Sequence, residues 1–102
     1  MEKRIFILGD RDAVLGFSLL GVDGLATDDP DAATARLAAL QQDPTIGLIL
    51  VTAGLAQRIE PALESIRAAQ GLPLVYEIAD PQGSPAKLPL HQLVRRALGA
   101  GR

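Results

Sequence analysis

Two uninterrupted apolar runs stand out along the chain, Ile5 to Leu8 and Ile46 to Val51, each containing β-branched side chains. They are too short for helices, and with no polar position alternating through them they read as strands buried on both faces, the pattern of a parallel sheet. Leu72 to Ile78 reads as another such strand. Val22 to Thr27 is weaker, and Gly24 within it predicts an edge or irregular strand.

Between the strands the apolar spacing lengthens to that of helices, and each helix has a start signal. Asp10 or Asp12 is placed to cap a segment running through Leu19. Asp29 precedes Pro30, which suits the first helical position ahead of Asp31 to Gln41. A third stretch runs from Thr52 to Gln70, broken or restarted at Pro61 and stopped at Gly71 in left-handed backbone. The last helix has the clearest period, with Leu90, Leu93, Val94, Ala97 and Leu98 at i, i+3, i+4, i+7 and i+8. His91, Gln92, Arg95 and Arg96 then face away from that stripe. Strand and helix alternate throughout, which predicts an α/β fold: one domain over residues 1–102, an open four-stranded parallel sheet ordered 2-1-3-4, with helices on both faces. The connection from Ala79 to Leu88, with Pro81, Gly83 and Pro85, is long for a strand-to-helix loop and reads as a segment that moves or makes a contact.

Composition narrows the function classes. A chain of 102 residues buries roughly two-thirds of its unfolded surface, enough for a core without staples. The absence of cysteine excludes disulfides, thiolate nucleophiles and cysteine-based zinc sites. Met1-Glu2-Lys3-Arg4 ahead of Ile5 to Leu8 has the charge order of a leader, but the run is too short for a leader or a membrane span. A formal charge of −2, with only Phe6, Phe17 and Tyr76 able to stack on bases, leaves no footprint for nucleic acid. The charge is unevenly placed. Residues 10–31 carry Asp10, Asp12, Asp23, Asp28, Asp29 and Asp31 against Arg11, whereas residues 81–102 carry Lys87, Arg95, Arg96 and Arg102 with no acid. Acids at helix starts and bases at a helix end complement the helix dipole; the same distribution also makes the basic end a docking surface for an acidic partner.

In an open parallel sheet any site lies beyond the carboxyl ends of the strands, here Gly9 to Asp12, Thr27 to Asp29, Thr52 to Gly54 and Ala79 to Gly83. The first pairs a glycine with a helix start, yet neither glycine-rich phosphate fingerprint is present, and Asp10 and Asp12 put negative charge where phosphate would sit. A phosphoryl-accepting receiver domain would need an aspartate ending the third strand; Val51-Thr52-Ala53 stands there. Asp10 and Asp12 therefore read as caps rather than as a magnesium pair. His91 has no cysteine or second histidine beside it, and Ser18, Ser65 and Ser84 have no nucleophile-elbow context. The expectation is a chain with no catalytic, cofactor-binding or metal-binding residues. Phe17, Leu19 and Leu20, bracketed by Gly16 and Gly21, form an unusually apolar short helix and read as core positions in preference to a recognition surface, a choice that exposure in three dimensions decides.

Gly9-Asp10-Arg11-Asp12 followed by Gly16-Phe17-Ser18-Leu19-Leu20-Gly21 resembles the opening of the F subunits of V/A-type ATPases. The likeness continues through Ile46 to Thr52, through Leu72-Pro73-Leu74-Val75 with Pro81-Gln82-Gly83, and through Val94 to Gly99. Ser18 stands where that family usually has arginine, Ile78-Ala79-Asp80 replaces its usual Ile-Pro-Ser, and only three residues follow Gly99. The resemblance implies a non-catalytic rotor part, without cofactor or metal, on the central stalk of a rotary ATPase or ATP synthase that couples ATP chemistry to ion transport. It further implies a coiled-coil D subunit as direct partner and the A and B head subunits as indirect ones. The location implied is cytoplasmic, peripheral to the membrane without insertion. On that reading Gln92, Arg95 and Arg96 are the partner-binding residues. The other class open to the sequence is a stand-alone receiver-like binding or regulatory module that lacks the phosphoacceptor aspartate.

Overall fold

The computed structural model describes residues 3–79. They form β1 (Arg4–Gly9), α1 (Arg11–Ser18), β2 (Asp23–Ala26), α2 (Pro30–Gln41), β3 (Ile46–Thr52), α3 (Ala53–Arg58), α4 (Glu60–Ala68) and β4 (Leu74–Ile78). All strand pairings are parallel and the order is β2-β1-β3-β4, as expected. The expected last helix, the connection beyond Ala79, and with them His91, Gln92, Arg95 and Arg96, lie outside the described residues.

Local chemistry accounts for most boundaries. Asp10 caps α1 and Asp29 caps α2 by accepting bonds from the first helical amides, with Pro30 in the first turn of α2. The third helical stretch divides at Ile59, two residues before Pro61, and Pro61 falls in the first turn of α4. A proline ring clashes with the carbonyl four residues earlier, so the continuous helix ends at Arg58 and a new one starts where the missing N–H costs nothing. The left-handed stop begins one residue ahead of expectation, at Gln70 (φ 52°), and continues through Gly71 (φ 106°). β4 starts at Leu74 rather than Leu72.

The sheet carries two cores. One side packs Phe6, Leu8, Ile49 and Val51 under α2, α3 and α4, through Leu37, Leu55, Leu63 and Ile66 among others. The other packs Ile7, Leu50 and Ile78 with Ala13, Phe17 and Val22, and α1 is the helix over it among the described residues. A register shift between Arg4 and Ile5 skips Gly47. Ile46 therefore joins the first core while Leu48, two residues on, faces the second. β2 is the edge strand that Gly24 foretold: a Cβ there would lie 2.6 Å from Ile7 Cγ2 and 3.0 Å from Val14 Cγ1, so the glycine lets α1 settle onto the edge.

Candidate functional site

The carboxyl ends of β1, β2 and β3 open onto a cavity of about 430 Å³, whose charged lining consists of Asp10, Arg11, Asp28 and Arg58. It sits between β1 and β3, where successive crossovers leave in opposite directions. The walls are tied together. Thr52, ending β3, is 1 % exposed, and its Oγ1 accepts the Asp10 amide at 3.0 Å. Gly9 makes this possible, because at its φ of +137° a Cβ would stand 1.9 Å from that same oxygen. The position where a receiver domain holds its acceptor carboxylate is thus a buried hydroxyl clasping β3 to β1.

The Asp10 carboxylate is likewise engaged. Its Oδ2 accepts from the amides of Asp12 (3.0 Å) and Ala13 (3.3 Å), the capping role expected from sequence. Asp12 is exposed in the first turn of α1. Across the cavity Arg58 Nη1 donates to the Asp28 carbonyl at 3.1 Å. The strand-end rule located Thr27, Asp28 and Thr52 in advance but missed Arg58, which reaches the cavity from the far end of α3; its only signal was its place about a turn and a half past the strand end. Among the described residues no three His, Asp or Glu side chains converge as metal ligands. With two cations and two anions in the lining, the cleft has no net charge to recruit phosphate.

At the opposite end of the sheet Asp43 organises a polar cluster. Its Oδ1 accepts from the Thr45 hydroxyl (2.7 Å) and amide (2.9 Å), and Arg4 bridges it at 3.8 Å while pairing with Asp23 at 2.8 Å. The Thr45 hydroxyl first and the Thr45 amide second hold the Asp43 carboxyl below the usual carboxylate value, burial opposes them, and the charges of Arg4 and Lys3 add to the lowering.

The apolar surface corrects one expectation. Phe17 is buried, but Leu19 is 80 % and Leu20 51 % exposed. α1 ends at Ser18, so the two leucines fall in the turn beyond the helix, and Val22 rather than either of them closes the core. Among the described residues no helix is long and apolar enough to cross a membrane.

Comparison with known proteins gives a consistent picture. Residues 5–94 match the family described as ATP synthase (F/14-kDa) subunit. A protein of Methanothermobacter thermautotrophicus, named as an A-type ATP synthase F subunit, is 32% identical, over 97% of this chain and 95% of its own. The proteins of the same name from Thermococcus gammatolerans and Methanococcus maripaludis are 35% and 33% identical; the alignments cover 94% of this chain in both cases, and 94% and 95% of the relatives.

Proposed function

This chain belongs to the family of the ATP synthase (F/14-kDa) subunit, and from that premise we propose that it is the non-catalytic F subunit on the central stalk of a V/A-type rotary ATPase. In this role it turns with the coiled-coil D subunit and couples ATP hydrolysis or synthesis in the A and B head subunits to ion transport, at the cytoplasmic side and peripheral to the membrane. The observation that carries the reading is the family match over residues 5–94. The strand-end cleft supports it: the Asp10 carboxylate is occupied by helix amides and Thr52 is buried in a strand clasp, so neither is positioned to take part in phosphoryl chemistry.

Docking on the shaft falls to the C-terminal segment, with its apolar stripe from Leu90 to Leu98 turned to the domain and Gln92, Arg95 and Arg96 turned to the partner. Co-expression with the D, A and B subunits tests the whole proposal. The chain is expected to co-purify with the assembly and to hydrolyse no ATP by itself. Elution apart from the assembly, or intrinsic hydrolysis that survives removal of the head subunits, would overturn it.

A further inference from the structure

Four charged side chains, two of each sign, border the strand-end cleft, yet among the described residues none of them forms an ion pair with another. The backbone assigns them elsewhere. Asp10 is fixed at the head of α1, where its Oδ2 accepts the amides of Asp12 and Ala13. Arg58 Nη1 turns to the Asp28 carbonyl rather than to the Asp28 carboxylate, and a guanidinium keeps further donors after one such bond. The Asp28 carboxylate and the Arg11 guanidinium, both exposed at the cleft, have no hydrogen-bond or ion-pair partner among the described residues. The floor adds one more donor. Thr52 is almost wholly buried, and its Oγ1 accepts the Asp10 amide at 3.0 Å, but its hydroxyl proton meets no acceptor among the described residues. A hydroxyl both accepts and donates, and a buried donor is costly to leave unmatched, so an acceptor from solution completes it.

The signs of these groups say what fits between them. A cleft with no net charge exerts little long-range pull on phosphate or a nucleotide, whereas separated charges of opposite sign attract a molecule that itself carries both. At about 430 Å³ the space lies toward the small end of ligand pockets, and it sits at the switch point where open parallel sheets take their ligands. We propose that the cleft binds a small zwitterion of the amino-acid class. Its carboxylate is received by the Arg58 and Arg11 guanidiniums and the Thr52 hydroxyl, and its ammonium by the Asp28 carboxylate. Arginine suits the first task because its fork matches a carboxylate. Binding here needs no other subunit and neither requires nor excludes the rotor role.

NMR titration of the isotope-labelled full-length chain with L-alanine, L-serine and L-glutamine, followed at the amides of Asp10, Asp28 and Thr52, tests this. Saturable shifts are expected with at least one of the three. Propionate, which is L-alanine without its ammonium group, and inorganic phosphate are expected to bind at least about tenfold more weakly, and Asp28→Asn and Arg58→Gln should each weaken amino-acid binding by a similar factor, the scale of one hydrogen bond to a charged group. Should a variant fail to fold, the wild-type comparison of L-alanine with propionate decides. No saturable shift with any of the three amino acids overturns the proposal. So does propionate binding as well as L-alanine, because Asp28 then receives no ammonium, and so does phosphate binding more tightly than all three. The readout is the isolated chain, so such a failure leaves the rotor reading standing.

Discussion

Gly9 and Thr52 are closely fitted, and each dictates the other. With a hydroxyl at Thr52 accepting the Asp10 amide, no side chain fits at Gly9. Thr52→Val keeps the shape and leaves a partly buried amide unpaired, which costs about 1–3 kcal/mol. Gly9→Ala meets the same oxygen head-on and adds left-handed strain of roughly 1–3 kcal/mol, so in urea denaturation it is expected to be the more damaging of the two. From sequence Gly9 invites a phosphate-turn reading that the missing fingerprints and the neighbouring acids exclude; its distant partner Thr52 is not legible there, because a contact between residues so far apart in the chain leaves no local signature.

Asp43 gives the residue scale a pH dependence. Its folded pKa lies below the ordinary value, roughly 3.9 in an unfolded chain. Its contribution to stability is therefore complete above that value and is lost as the pH falls through the folded one. Carbon-detected NMR titration of Asp43 should give an upward shift in Thr45→Val, which removes the hydroxyl and keeps the amide. An unchanged midpoint would assign the lowering to the Thr45 amide, with Arg4 and Lys3, rather than to the hydroxyl.

At the scale of elements, the helices with caps were the most legible. Asp29 and Pro30 announce α2 by chemistry confined to three residues, and Asp31 N donates to Asp29 Oδ1 at 3.0 Å as that chemistry requires. Asp29→Ala is expected to cost about 1 kcal/mol, seen as a lowered thermal midpoint, whereas Asp29→Asn, which retains an acceptor, should cost much less. Equal losses in the two would mean that charge rather than the cap bond matters. Where no cap exists the sequence was less informative. α3 and α4 lack a side-chain cap bond, and their division at Ile59 is set by the steric reach of Pro61. Leu19 and Leu20 read as core because they neighbour Phe17 in sequence, but α1 stops before they come round to the sheet.

The whole molecule was legible in its strand order, because two apolar runs and the right-handed crossover rule leave few ways to arrange four parallel strands. The cleft was legible as a location and not as a chemistry: its strand ends follow from the fold class, while the neutral lining and the engaged carboxylate emerge only once side chains are placed. The docking residues Gln92, Arg95 and Arg96 rest on helical period and charge alone. Exposed ion pairs are individually worth about 0–1 kcal/mol, but pairs desolvated in an interface couple more strongly. Long-range attraction is also screened by salt, so both magnitude and ionic-strength dependence belong to the prediction. Titration of the full-length chain into the purified coiled-coil D subunit, at low and high salt, tests the rotor role most directly. Saturable binding is expected, with one chain per D subunit, weakened by salt and weakened further by the double substitution Arg95→Glu with Arg96→Glu; absence of saturable binding at every salt concentration would contradict that role.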